Sequence, residues 1–414
     1  MALAHYIGRR PVIFWGLILS MVCNIWSACM TGPNDFIPYA MSRWLGGTFG
    51  AFPIALGGGF IVDMFYLHQR GKAFAFYTSC ALFGISAANT LSGFIVQYNP
   101  WPVQFWWVVA LLGLCAVLVA LFLDDTTYAR NARDPVNHKA LQKSGAASMV
   151  LSLVPVTGNM ERSPQTAHGP WDCILIGLQP PTIIAGLFIL MVFAWGGVVL
   201  NNLTVYLQNP VAIGGYGFSP LQNAEFSFVN WVSTILAQLY GFLFNDRLPL
   251  WRCKKSGKGV WRPEYRLYPL LFAPLCLSPI GLGLFGAANA EHYHFMALAV
   301  AVFFVNLADV ICLPIVNAYV VECFVDYAAE VTTILAFYRQ ILGLCVNFFL
   351  PAWTAAMGIR WVFGSMAFFV LIGYGFTAIL EWKGPQIRAM SWSKFVDTEA
   401  EEKLFTSADG EAQG

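Results

Sequence analysis

The chain has 414 residues, of which 58% are hydrophobic and only 11% are charged, and its formal net charge is +1. Soluble domains are about half apolar and about a quarter charged, so this composition excludes an ordinary soluble protein and predicts a polytopic membrane protein. The ten cysteines are scattered singly, without a pair at metal-ligand spacing. Neither a disulfide framework nor a metal site is therefore predicted.

Long apolar windows recur along the chain and predict its fold class. A helix of about 20 apolar residues crosses the roughly 30 Å of bilayer hydrocarbon. Such windows lie at residues 12–30, 37–63, 73–96, 101–123, 181–207, 220–244, 267–287, 295–322, 329–352 and 360–381. They are continuous apolar runs and lack the alternation of a membrane barrel strand. The predicted fold is an all-α polytopic membrane bundle of about ten spans.

Basic residues between the windows predict the orientation. Of the 23 lysines and arginines, all but Arg43, Arg339 and Arg360 lie in segments on one predicted side of the membrane. Such segments stay in the cytoplasm under the positive-inside rule, so both termini are predicted to be cytoplasmic.

The spacing of the windows predicts an uneven division of the chain. Four spans occupy residues 1–123, and a polar segment with serine, proline and glycine follows at 124–180. We interpret this segment as a cytoplasmic linker. Six further spans occupy residues 181–382, and the acidic residues 383–414 are predicted to form a cytoplasmic tail.

The opening stretch LAHYIGRRP, from Leu3 to Pro11, has the character of a basic loop between two spans. It resembles the G-x-L-A-D-R-x-G-R-R motif that follows the second helix in the major facilitator superfamily. The residues in common are Leu3, Ala4, Gly8, Arg9 and Arg10, whereas the positions that differ are Met1, His5 and Tyr6. The resemblance implies that the ten spans correspond to family helices three to twelve, and that the first two helices are missing from this chain.

Later motifs extend the resemblance. MSRWLGG, which contains Arg43, is similar to the family R-x-x-x-G signature, and IVDMFYLHQRGKA resembles the D-x-F-x-x-x-x-R-G-K-A loop. The fifth-helix antiporter motif is only faint in GISAANTLSG, which has no proline. LDDTTYAR and the basic stretch that ends in PEYRL resemble fungal drug:proton antiporter-like members. The P-E-S-P-R stretch of sugar porters does not occur.

Two ionisable residues inside predicted spans invite a functional interpretation. An unpaired arginine at mid-membrane costs about 2.5–3.5 kcal/mol, so Arg43 is expected to have a partner, and either binds an anionic substrate group or forms a structural ion pair. Burial favours the protonated form of a carboxyl, so Asp309 is a candidate for proton coupling. The alternatives are a permanently protonated carboxyl bound to Asn306, or an ion pair with Arg43 or Arg339.

Polar residues on several spans predict a central cavity, because Asn223, Asn230 and Thr234 recur at helical spacing and other spans carry asparagines. Each of these groups alone is also explained by a hydrogen bond between helices. The predicted substrate-binding or coupling residues are Arg43, Asn89, Asn202, Tyr206, Asn230, Asn306 and Asp309. A cytoplasmic gate is predicted from Arg9, Arg10, Asp63 and Arg70, the alternative being that these residues only set topology and contact lipid head groups.

The sequence therefore predicts a membrane transporter, not an enzyme, that moves a small organic solute or drug by proton-coupled alternating access. No cofactor and no nucleic-acid partner are predicted. We expect a monomer in the lipid bilayer, in the plasma membrane rather than the vacuole. Two alternatives stay open: a transport-inactive product or membrane regulator, and a sugar or nutrient uptake porter of the same superfamily.

Overall fold

The computed structural model describes residues 8–32, 34–66, 69–123, 171–210, 215–256, 261–271 and 273–392. The first residues of the opening motif, most of the predicted linker and most of the predicted tail lie outside the described residues. Within them, the first four helices are α1 (Arg9–Cys29), α2 (Phe36–Met64), α3 (Arg70–Tyr98) and α4 (Val103–Phe122). The next five are α5 (Asp172–Gly177), α6 (Pro180–Gln208), α7 (Pro220–Phe226), α8 (Phe228–Phe244) and α9 (Arg247–Ser256).

A 3₁₀ helix, Pro263–Leu271, precedes the last four helices. These are α10 (Ala273–Ala290), α11 (Phe295–Cys323), α12 (Ala328–Met357) and α13 (Ile359–Ala389). Nine helical segments of the described residues are long and apolar enough to cross a membrane, and the count is ten if the 3₁₀ helix and α10, which meet at an angle of 43°, are one span. The predicted all-α bundle of about ten spans is confirmed.

Local sequence explains where the helices begin and bend. Ser219 caps α7 by accepting a hydrogen bond from the Gln222 backbone, and Pro220 stands at the first helical position, where its missing N–H costs nothing. The bent pair of the 3₁₀ helix and α10 contains Pro269 near its break, and a proline cannot donate the backbone hydrogen bond that a continuous helix needs. Gly358 separates α12 from α13 at a φ of 77°, a conformation that favours glycine.

The described helices group into two compact units. One comprises residues 1–64 and 98–173, and the other comprises residues 65–97 and 174–414. In the first unit, α1 packs against α2 and α4. The packed core includes Ile13, Leu17, Leu56 and Ala116, and Ser27 and Ser42 share a buried hydrogen bond of 2.7 Å between α1 and α2.

The second unit is built around α11. This helix contacts α10, α8 and α6, while α6 also packs against α12 and α13. Most of its side chains from Leu298 to Val321 are buried, so a polar group at mid-helix is enclosed by protein. The predicted division of the chain into four spans, a linker and six spans stays a prediction. The compact units are a different grouping, in which α3 belongs with the later helices.

Candidate transport site

Asp309 is a carboxyl enclosed in the second unit. It lies in the middle of α11 and is 3% exposed. Its Oδ1 has no hydrogen-bond partner among the described residues, and the carboxyl rests against the backbone of Gly196 in α6. A buried carboxylate without a partner is strongly disfavoured in an apolar interior. The geometry therefore suits a carboxyl that is neutral in this conformation.

Two titratable side chains lie near Asp309. Cys312 stands one helical turn along α11, and its Sγ is 3.3 Å from the hydroxyl of Tyr374 in α13. Both groups lie close enough to Asp309 to respond to a charge on it if the carboxyl ionises. Tyr374 is held by an edge-to-face contact with Phe188, with ring centroids 5.1 Å apart. The surroundings of Asp309 are thus weakly polar and neutral.

Asn306 joins α11 to α8. Its Nδ2 donates to the Ser233 hydroxyl at 2.6 Å and to the Asn230 carbonyl at 3.2 Å. Thr234 also donates to that carbonyl, at 2.8 Å. The structure thus joins the Asn306 side chain to α8, and Asn306 is not bonded to Asp309. This arrangement favours the alternative interpretation of Asn306 as an interhelical contact. Asn230 takes part only through its backbone carbonyl, and its side-chain Oδ1 is buried without a hydrogen-bond partner among the described residues.

Two more exposed polar contacts lie near the end of α6, on different sides of the helix. The side chain of Asn202 donates to Asn347 of α12 at 3.3 Å. Thr204, two residues further along α6, accepts from Asn223 of α7 at 3.4 Å. Asn347 and Thr204 are exposed, and Asn202 is half-buried. These groups retain hydrogen-bonding capacity for a solute.

The other predicted binding residues are dispersed. Tyr206 is half-buried in α6 and packs its ring edge against Phe285, 5.9 Å away. Asn89 is an exposed residue of α3. Arg339, which is not among the predicted binding residues, lies over the ring of Phe193 at 5.6 Å, and its charge acts on Tyr77 of α3.

Arg43 lies in the first unit, where its partners are neutral. Its guanidinium donates to the Asn24 side chain at 3.4 Å and lies 5.3 Å from the centre of the Phe105 ring. It forms no ion pair within the described part of the chain. Arg43 therefore has partners, as expected, but they are an amide and an aromatic ring rather than a carboxylate.

The predicted gate residues of the first unit make contacts of two kinds. Arg10 is buried and donates to the Ala120 carbonyl at 2.6 Å. Arg9 lies over the Phe60 ring at 5.6 Å. The side chain of Asp63 lies outside the described residues.

A cluster of buried charges in the second unit was not predicted from the sequence. Arg266 binds Asp246 at 2.5 Å and Glu322 at 2.7 Å, and all three side chains are at most 4% exposed. Trp261 donates to Glu322 at 3.2 Å, and the charge of the predicted gate residue Arg70 also acts on Glu322. We call Arg70, Asp246, Arg266 and Glu322 the buried charge cluster. Two arginines and two carboxylates balance within it.

The buried charge cluster also fixes the start of α3. The second carboxylate oxygen of Asp246 accepts a hydrogen bond from the Lys72 backbone N–H at 3.1 Å. A carboxylate at this position complements the partial positive charge of a helix N-terminus. Asp246 and Arg266 both lie in the basic stretch that ends in PEYRL. The resemblance therefore pointed to this region, but it did not predict which residues pair.

A second ion pair lies nearby, where Arg388 of α13 donates to Glu264 at 2.9 Å. Glu264 packs tightly against Gly384, and a Cβ at this glycine would stand only 2.6 Å from the carboxylate Oε1.

Gly384→Ala is expected to displace Glu264 and to lower the free energy of unfolding by about 1–3 kcal/mol. The matched control is Gly375→Ala in the same helix, where the space is open. Thermal unfolding in detergent compares the two, and an equal loss in both would contradict the contact.

Comparison with known protein families shows which family has this helical architecture. Residues 1–346 match the model of the Major Facilitator Superfamily. The chain belongs to this superfamily. It is therefore an integral membrane protein of a transporter family, and the resemblance inferred from its motifs is confirmed.

Several major facilitator proteins align with nearly the whole chain. Efflux pump radE of Floropilus chiversii is 24% identical over 389 residues, which cover 92% of this chain and 69% of radE. Efflux pump vrtL of Penicillium aethiopicum is 28% identical over 406 residues, or 93% of this chain and 75% of vrtL. The solved proton:xylose symporter XylE has a TM-score of 0.59 at 17% identity and covers 92% of this chain and 82% of its own. At that identity, the likeness to XylE shows the fold alone.

Proposed function

We propose that the protein exports a small organic solute in exchange for protons, by alternating access. The observation that carries the proposal is the enclosed carboxyl of Asp309, which is 3% exposed and has an unpartnered oxygen among the described residues. Such a group loses its proton only when the protein opens it to water. Proton exchange and conformational change are then linked, which is the requirement for a coupled carrier.

The direction of transport is inferred from the relatives. Two fungal proteins that align with more than nine-tenths of this chain are named efflux pumps. The xylose symporter shares the fold at 17% identity, and the chain lacks the P-E-S-P-R stretch of sugar porters. These observations favour export of an organic compound over sugar uptake.

In the proposal, polar groups near the end of α6 contribute to binding of the solute. Asn202, Asn347, Thr204 and Asn223 offer amide and hydroxyl groups with capacity for further hydrogen bonds. The guanidinium of Arg339, above Phe193, adds a cation and an aromatic face. This chemistry suits an amphipathic organic molecule with oxygen acceptors and an apolar body.

Helix α11 offers a route from the proton site to the buried charge cluster. Asp309 lies at mid-helix and Glu322 lies near its C-terminal end, about 20 Å further along the axis. Pro314 stands between them and permits a local bend. In the proposed cycle, proton loss at Asp309 shifts this helix and weakens the Glu322–Arg266 contact, so that the gate residue Arg70 changes partners.

An untargeted transport assay tests this function before the solute has been identified. Inside-out vesicles that contain the protein receive a mixed extract of organic compounds and an acid interior, and mass spectrometry identifies what accumulates. We expect at least one compound to accumulate, and we expect a protonophore to abolish its accumulation. Vesicles without the protein are the control.

Each other outcome of this assay contradicts part of the proposal. If no compound accumulates above the control, the transport-inactive or regulatory interpretation is favoured. Accumulation that survives the protonophore would instead show transport without proton coupling.

A further inference from the structure

Gly196 lies where α6 meets the carboxyl of Asp309. A Cβ built on this glycine would stand 2.7 Å from the Asp309 Cγ and still closer to its Oδ2. Atoms do not approach this closely in packed proteins, so every other residue would displace the carboxyl or the helix. The next residue, Gly197, has open space around the same position. The requirement for glycine is therefore specific to residue 196.

The contact determines how well Asp309 is sealed from water. With α6 against the carboxyl, only 3% of Asp309 is exposed, and the titratable groups near it are those of Cys312 and Tyr374. Displacement of the carboxyl toward water or a hydroxyl group would stabilise its charged form. The absence of a side chain at residue 196 thus favours retention of the proton.

We propose that Gly196 is a positioning residue for the proton site, because its missing side chain lets α6 close over the Asp309 carboxyl. This inference rests on the proposed function and adds to it the element that covers the site. Gly196 and Gly197 form a pair within α6 (Pro180–Gln208), and paired glycines are a common place for a helix to bend. The same pair therefore allows α6 to lift from α11 when Asp309 exchanges its proton.

The test titrates Asp309 directly and needs no solute. Infrared difference spectra of the purified protein follow the carbonyl band of the protonated carboxyl as the pH rises, and Asp309→Asn identifies which band belongs to Asp309. Gly196→Ala is expected to lower the proton affinity of Asp309 by at least about tenfold. Gly197→Ala is the matched control and is expected to leave the titration unchanged. An unchanged titration in Gly196→Ala would overturn the proposal.

A second variant covers the case in which Gly196→Ala does not fold. The double change of Gly196→Ala with Asp309→Ser shortens the side chain that the new methyl group meets. Recovery of folding in the double variant supports the contact, whereas continued failure would show that Gly196 is needed for another reason and would overturn the proposal. Because the readouts here are titration and folding, failure of this inference is distinguished from failure of the proposed function, which a flux measurement tests.

Discussion

Asp309→Asn is expected to abolish transport driven by a pH gradient while the protein still folds. Asparagine has nearly the same shape as the protonated carboxyl, so the packing against Gly196 and within α11 is retained. It cannot release a proton, and the step of the cycle that requires proton loss is blocked. Solute exchange that never needs this step should persist. Net gradient-driven flux should therefore fall by at least about tenfold, while solute-for-solute exchange stays near its original rate.

The measurement compares both fluxes for a compound identified by the vesicle assay. Glu225→Gln is the matched control, since Glu225 is an exposed carboxyl of α7 and the same change there should leave both fluxes intact. If Asp309→Asn retains full gradient-driven flux, Asp309 is not the coupling carboxyl. An equal loss of net flux and exchange would show a structural role instead.

Arg266→Met is expected to destabilise the protein more than the loss of any exposed charge. Arg266 is the cation that binds both Asp246 and Glu322, and its side chain is 2% exposed. Removing one partner of a buried ion pair costs about 3–5 kcal/mol, because the remaining charge stays buried without compensation. The start of α3 depends on the same Asp246 carboxylate, so its helical order should also suffer.

The matched comparison is Arg360→Met at an exposed pair. Arg360 and Glu291 are 2.6 Å apart, but their side chains are 61% and 42% exposed. Such pairs contribute about 0–1 kcal/mol. Unfolding of both variants in detergent, followed by tryptophan fluorescence, gives the two losses. A double variant with Arg266→Met and Asp246→Asn keeps Arg70 with Glu322 and should recover part of the stability. Similar losses for Arg266→Met and Arg360→Met would contradict the ion pairing of the buried charge cluster.

Hydrophobicity made the spans predictable, whereas their local shape was harder to infer. The window at 267–287 is apolar throughout, yet the structure divides this region into a 3₁₀ helix and α10 with a 43° bend. Composition over about 20 residues reports whether a segment can cross the bilayer. It does not report where the backbone changes direction inside that segment.

The site was predictable to the extent that a single residue carries the signal. Asp309 stands out in the sequence because an acid within an apolar helix is costly. The partners of Asn306 could not be inferred, because helical periodicity assigns residues to a face without naming the helix opposite. The pairing of Asp246, Arg266 and Glu322 joins three separate elements, and only the fold brings them together. The contact of Asp309 with Gly196 has the same origin.

The measurement that tests the central claim most directly records solute and proton movement in the same vesicles. Proteoliposomes are loaded with a pH-sensitive dye, and a compound identified by the vesicle assay is added outside, without an imposed pH gradient. We expect solute entry to be accompanied by proton exit, seen as a rise in internal pH that Asp309→Asn eliminates. Solute entry with no change in internal pH would contradict proton-coupled exchange.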